Sequence, residues 1–510
     1  VLVGGWLQRL LLSGSSKQFF FEKKNQKTFG HLASIGGTHV SELHAIKRLH
    51  TIIKRQREAH RKGPPASAAE RRERLRIIID MLMVNRMKIR DALTADHGVH
   101  PELMTDIIEV NGGIARARQA LDQLDIWMAP QPRPLDAGFG NARAWMEHQA
   151  KGVIGNMVPW NFPFEIGLGP VAEMFGAGNR VVIKPSELMP ASAELLRDMV
   201  AANFDEDVLT TVLGGPAVAR AFAAAPWDHL LFTGSTQVGR EVMRIAAENL
   251  TPLTLELGSK SPIIVTRTGL DARAVRSIIG LKLVKSGQVC VSADHVHVPR
   301  THVAEFVERT TAYVRENTPK HSRSPDCTSI VNEQHFTRLQ GLIADARAHG
   351  ADIVIPEQNA APDSKTRQMP LTLVLGVTED MRVAREEIFG PVLPIFAYDR
   401  IEHVVDRLNR TDKPLTMSIF SQDQSEIDYL IASTTSGGVS VNGAALNTAC
   451  INLGFGGVGA SGMGRHHGIE GFHEFSNKRA MFVRGEEDHI EIIFPPYREA
   501  AQAAVAALFL

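Results

Sequence analysis

The sequence predicts an α/β protein built on two sheets, and three observations lead there. From Val153, short β-branched runs alternate with helical stretches in "GVIGNMV", "RVVIK", "LTTVL", "HLLF" and "PLTLE", the rhythm of a parallel sheet covered by helices on both faces. A second series follows a join near Gly258, in "PIIV", "HVHVP", "ADIVI", "LTLVL", "VLPIF" and "LTMSIF". The length, 510 residues, exceeds what one hydrophobic core usually fills, so two large domains are expected.

Elements outside these series have their own signals. The apolar start of "VLVGGWLQRLLLSGSSKQFFFEKKNQKTFGH" is broken by Gln8 and Arg9, with no clear cleavage site, so residues 1–40 are expected to be a disordered or extraneous extension. After Pro64 and Pro65, Ser67 and Glu70 form a capping box, and Leu75, Ile78, Ile79 and Leu82 the buried stripe of a helix. "AWMEHQAKG", before Val153, reads as a hairpin leaving the first domain, and the Ala-rich tail "REAAQAAVAALFL" as a terminal helix.

Composition excludes several classes. Hydrophobic content of 44% and charged content of 22% are those of an ordinary globular protein. Fifty-six basic and 56 acidic side chains cancel, leaving no footprint for nucleic acid. No apolar run reaches the roughly 20 residues that span a bilayer. Three cysteines, Cys290, Cys327 and Cys450, make no disulfide framework, so a reducing, cytoplasmic setting is expected.

Five stretches carry chemistry-bearing residues. In "HLLFTGSTQVG" a strand meets a turn and a helix, where Gly234 permits close backbone approach and Ser235 caps the helix; this suits a phosphate, although the turn needs glycine on steric grounds alone. "RVVIKPSE" places Lys184 and Glu187 at a strand's carboxyl edge, as ribose contacts or as a solvated charge pair. In "VPWNFP", flanking prolines stiffen the turn that holds Asn161, an oxyanion donor or a satisfied turn amide. Glu256 in "LTLELGSKSP" is a general base or a structural acid. Cys290 in "SGQVC" is a core thiol or a nucleophile. A metal site with His295 and His297 is not expected, because that spacing resembles no standard zinc motif, so no metal is assigned.

Taken together and in order, "PWNFP", "KPSE", "FTGSTQVG", "ELGSKSP", "GQVC", "EEIFGPVLP" and "GFGGVGASGMGRHHG" resemble the aldehyde dehydrogenase superfamily from about residue 44 to near 497. "GQVCVSADHVHVP" and "GVGASGMGRHHGIEGF" are most similar to its coniferyl-aldehyde-dehydrogenase-like branch. The resemblance implies Cys290 as nucleophile, Glu256 as general base and Asn161, with the Cys290 N–H, as oxyanion hole. It implies contacts to NAD, or NADP, from Trp160, Lys184, Glu187, Gly215, Gly234, Ser235, Val238, Leu257, Glu387 and Phe389. The implied fold is a Rossmann-type cofactor domain over 41–257, a catalytic domain over 258–430, a return to the cofactor domain over 431–474, and a bridging strand and tail over 475–510. Bridging strands near 142–152 and 475–493 would make a homodimer or homotetramer.

The implied reaction is NAD(P)-dependent oxidation of an aromatic or medium-chain aldehyde to the acid through a thioester. Acyl transfer to coenzyme A, or an impaired scaffold of the same fold, are the alternatives. Glu187 favours NAD by repelling a 2′-phosphate. Ser259, Lys285, Gly454 and "QAKG" before Val153 depart from the family's usual residues, and Ser259 is expected to crowd the cofactor.

Overall fold

The computed structural model describes residues 31–487, 494–507 and 509. By contacts the chain divides into Val1–His44 and Ala45–Leu510. Residues 1–30 of the expected extension lie outside the described residues, but 31–40 open a helix, His31–Lys62. The stretch lacks proline, and its last turn carries His60, Arg61 and Lys62 before Gly63 and Pro64 end it, which suits the helix dipole. The next helix, Ala68–Val84, has the Ser67–Glu70 capping box, and Leu75, Ile78, Ile79 and Leu82 are buried.

Leu253–Leu257, His229–Gly234, Val153–Met157, Arg180–Lys184 and Leu209–Thr211 lie side by side and parallel in a six-stranded sheet. Its sixth member, Gly462–Met463, pairs antiparallel with Leu253–Leu257. One face packs on Asn111–Met128, Glu165–Gly176 and Pro190–Asn203, and the other on Pro216–Ala223 and Thr236–Ala247.

The chain crosses at Gly258 into a seven-stranded sheet ordered Asp352–Val354, Thr372–Leu375, Val392–Tyr398, His295–Pro299, Pro262–Val265, Thr416–Phe420, Gly438–Val441. All its pairings are parallel except that of Asp352–Val354. Gly438–Val441 corrects the boundary expected at 431: it bonds to Thr416–Phe420, so the second sheet continues past that point. The strand, Gly-Val-Ser-Val, interleaves a glycine and a serine with its valines and so lacks the apolar run that marks its neighbours. The chain next enters the first sheet at Gly462–Met463.

The stretch before Val153, expected as a hairpin and as a bridging strand near 142–152, holds the strand Arg143–Ala150, which pairs antiparallel with the preceding Gln131–Arg133 and with Ser476–Val483 in a separate three-stranded sheet. The strand expected over 475–493 ends at Val483, and 488–493 lie outside the described residues. The tail forms the helix Glu499–Ala507.

Candidate active site

The order of the six-stranded sheet reverses direction between Val153–Met157 and His229–Gly234, because successive strands spread outward from each. Crevices at such a switch point, beyond the strands' carboxyl ends, are where open α/β sheets bind dinucleotides. Lys184, Gly234 and Leu257 each end a strand there, and Trp160 and Asn161 follow the end of Val153–Met157.

Glu109 fixes the loop that carries Asn161. This buried carboxylate sits in a π-helical stretch, Thr105–Val110, and its Oε2 accepts from the N–H groups of Phe164 and Glu165, at 3.0 and 3.1 Å. Those groups open the helix Glu165–Gly176, so the charge also complements its dipole. The Asn161 amide is buried, and its Nδ2 donates to the Gln288 carbonyl at 3.3 Å.

Gln288 belongs to the thiol loop. After the helix Ala272–Leu283, the chain turns through Lys285, Ser286 and Gly287 with φ of 50, 52 and 73°. Only Gly287 adopts that region without strain. A Cβ at Gly287 would lie 2.3 Å from the Gly390 carbonyl, which is how close the thiol loop comes to the loop after Phe389. The Gln288 side chain locks the turn, donating to the carbonyls of Lys285 and Ser329 and accepting from Val331 N–H.

Cys290 follows, half-buried against an apolar cluster that includes Phe162, Ile108 and Phe455. Although the residue keeps some solvent contact, desolvation pushes its thiol up to about 12, and the negative charges of Glu387 and then Glu256 add to this. Two carboxyls therefore act on one sulfur. Glu256 is buried, and neither of its oxygens has a hydrogen-bond partner among the described residues. Burial holds it well above the usual carboxylate range, with Arg465 opposing and Glu474 reinforcing. Its strand is backed by Gly462–Met463, and His466 Nε2 lies 3.9 Å from its Oε1.

The remaining candidates lie at strand ends, at helix starts or in the loop before Val392–Tyr398. Glu387 Oε1 accepts from Ser259 N–H at 2.8 Å, and burial pushes this carboxyl up to about 7. Gly258 is needed beside it, since a Cβ there would lie 2.5 Å from Glu387 Oε2. Phe389, at φ 49°, meets the Trp160 ring edge-on at 5.3 Å. Lys184 donates to Glu187 at 2.9 Å and to the Pro185 carbonyl. Ser235 caps Thr236–Ala247 by accepting from Val238 N–H at 3.3 Å, and the Val238 side chain is exposed. Leu257 is buried and donates to the Ser461 carbonyl. Gly215 is the residue before Pro216–Ala223, the helix that follows the edge strand Leu209–Thr211. His295 and His297 pack their rings 5.0 Å apart against Phe396 in the second sheet.

The departures from the family pattern have local explanations. Ser259 does not turn toward the crevice as expected; its buried hydroxyl accepts from Leu415 N–H at 2.8 Å and lies 3.3 Å from that of Ser261. Lys285 is fully buried, its Nζ 3.5 Å from Glu109 Oε1 and 4.5 Å above the Phe162 ring. Gly454 makes room for Glu470, whose Cγ would lie 2.8 Å from a Cβ at that position. In "QAKG", Lys151 Nζ lies 2.9 Å from His229 Nδ1, and a Cβ at Gly152 would strike Asp228.

Sequence reasoning missed Glu109, Gln288, Arg116 and His466. Glu109 and Arg116 are two helical turns apart among Val110, Ile114 and Ala117, so charges on an apolar stripe were the available signal.

This fold defines a dinucleotide-linked oxidoreductase. The residues present fit the cofactor: a switch-point crevice, a serine-capped helix start beside Gly234, and a buried, unpartnered Thr233 hydroxyl at the same strand end. The chain belongs to the aldehyde dehydrogenase family, whose model matches residues 21–481. It is 39% identical over 465 residues to a probable coniferyl aldehyde dehydrogenase of Caulobacter vibrioides, covering 90% of this chain and 96% of that one. It is 33% identical over 450 residues to the rat protein named "aldehyde dehydrogenase, dimeric NADP-preferring", covering 87% and 97%. A solved structure described as the substrate-bound state of Staphylococcus aureus AldH superposes with a TM-score of 0.86 at 28% identity, covering 91% and 99%. The protein is an NAD(P)-dependent aldehyde dehydrogenase.

Proposed function

We propose that Cys290, Asn161 and Glu256 carry out the oxidation, with an aromatic aldehyde as the preferred substrate. The observation that supports the roles most directly is that the Asn161 amide is tethered at 3.3 Å to the carbonyl of Gln288, two residues before Cys290; the negative charge of Glu256, which helps raise the thiol, supports its nearness to the sulfur. Burial raises the Cys290 thiol, so its proton passes to Glu256 and on to solvent as the sulfur attacks the carbonyl carbon, and the oxygen becomes an anion held by the Cys290 N–H and the second N–H of Asn161. Bound nicotinamide supplies the hydride acceptor, and Cys290 is left as a thioester. Glu256 takes a proton from water, whose oxygen attacks the thioester, releasing the acid and the thiol.

Aromatic preference is supported by the apolar, partly aromatic cluster around Cys290 and by the name of the Caulobacter relative. The Lys184–Glu187 pair supports use of both cofactors, because the lysine offsets the charge that would repel a 2′-phosphate. Glu256 stands against coenzyme A as the acyl acceptor. The three-stranded sheet, with Ser476–Val483 at its edge, supports a homodimer or homotetramer built on that strand. Three free thiols support a reducing, cytoplasmic setting, and no helix among the described residues is long and apolar enough to cross a membrane.

The test is reduction of NAD and NADP with a panel of aromatic and aliphatic aldehydes, the product identified by mass spectrometry. Acid formation that is lost in Cys290→Ala is the expected outcome. No turnover with either cofactor, or a product formed only with coenzyme A, overturns the reading.

A further inference from the structure

We propose that His466 is a positioning residue for the base, presenting its Nε2–H to Oε1 of Glu256 in a tautomer imposed by Arg116; this rests on the reading of Glu256 above. Arginine has N–H donors and no acceptor. Arg116 Nη2 lies 3.0 Å from His466 Nδ1, so Nδ1 is the acceptor and the proton of the neutral ring resides on Nε2. The ring is neutral because burial, and then the Arg116 charge, hold it well below the usual histidine range.

Arg116 cannot turn away to release this constraint. It is almost fully buried and gives two bonds to Glu173, at 2.9 and 2.6 Å, and one to Glu165 at 3.0 Å. The histidine is held as firmly. Its backbone exchanges two 2.8 Å bonds with Phe455, and its ring packs 5.3 Å from that of Phe455 and 4.7 Å from that of His467.

His466 Nε2 stands 3.9 Å from Glu256 Oε1, beyond hydrogen-bond length, so the bond forms only with a rotation of the glutamate side chain toward the ring. Among the described residues, no other donor reaches either Glu256 oxygen. The other charges acting on the carboxyl are Arg465, Glu474 and Arg116, and His467 beside the ring is itself neutral. An N–H on Oε1 favours the carboxylate and aims Oε2 at the water. The ring neither gains nor loses a proton: Glu256 takes the proton from water, and the histidine remains a donor throughout.

The experiment is the pH dependence of kcat and KM with benzaldehyde and NAD, for the wild type, His466→Phe and His466→Gln. Phenylalanine keeps the ring packing and removes the N–H; glutamine places an amide N–H near the Nε2 position. In His466→Phe the acid limb of kcat is expected to move up by about one pH unit, which lowers kcat roughly tenfold on that limb, with KM within about twofold. His466→Gln is expected to return the limb most of the way. If His466→Phe does not fold, His466→Asn replaces it: its amide meets Arg116 but falls short of Glu256, and the same shift is expected.

An active wild type with an unmoved limb in His466→Phe, or His466→Gln shifted as far as His466→Phe, overturns the assignment of His466. A wild type silent with both cofactors overturns the underlying reading instead.

Discussion

Asn161 and Gln288 join two loops through one hydrogen bond, the Asn161 amide donating to the Gln288 carbonyl at 3.3 Å. One of the two amide N–H groups is thereby fixed, and the other is left for a developing anion. Asn161→Ala is expected to lower kcat about 10²- to 10³-fold, the usual cost of one oxyanion donor, with little change in KM. Steady-state kinetics on the folded variant check this, and an unchanged kcat contradicts it.

The Lys285–Glu109 pair lies behind both loops, fully out of solvent. Removing one partner leaves the other's charge buried and uncompensated, so Lys285→Met is expected to cost about 3–5 kcal/mol. Combining it with Glu109→Gln should recover most of that loss, because no charge is then stranded. Urea unfolding of the single and double variants measures the difference, and equal losses in both would refute it.

Acid is expected to destabilise the fold. Burial lowers His97, His100, His229, His295, His297, His466 and His467 below the ordinary histidine value, His295 to about 4. Their folded values lie below their unfolded ones, so between the two the unfolded chain binds more protons and stability falls as pH drops through about 6.5. Glu109, Glu173, Glu256 and Glu387 are raised and act in the opposite sense, but they are four groups against these seven histidines and five more that burial also lowers, His60, His148, His321, His335 and His473. The Tm at pH 5 should be several degrees below that at pH 7.5; an equal Tm at both counts against the histidines.

Cofactor preference should respond to Glu187. With the carboxylate gone, Lys184 faces a 2′-phosphate without a competing charge. Glu187→Gln is therefore expected to raise kcat/KM for NADP relative to NAD by about fivefold, the scale of one exposed charge contact. An unaltered ratio would mean that the residue does not face the adenosine ribose.

Local signals made much of this legible beforehand. Ser67 with Glu70, and Ser235 before its helix, are caps that need only neighbouring residues, and the parallel strands announce themselves as unbroken β-branched runs. Gly438–Val441 and Gly462–Met463 escaped notice because such short strands are selected by the backbone edges they meet. Lys285 was visible as an oddity, but its partner lies in another helical segment, and no spacing rule connects residue 285 to residue 109. Ser259 was misjudged for a related reason: a hydroxyl turns to the nearest unpaired N–H, here Leu415, and which N–H is nearest depends on tertiary structure.

The two-residue strand Gly462–Met463 covers what would otherwise be the bare margin of the sheet holding Glu256. A ribosome reaches it only long after Leu253–Leu257 has emerged, and until then the N–H and C=O groups along that strand remain an open template for other nascent chains. Shortening the protein from its C-terminal side past this point would therefore do more than delete a peripheral segment: it would unseal the sheet and expose an adhesive rim, and insoluble product would be the first sign.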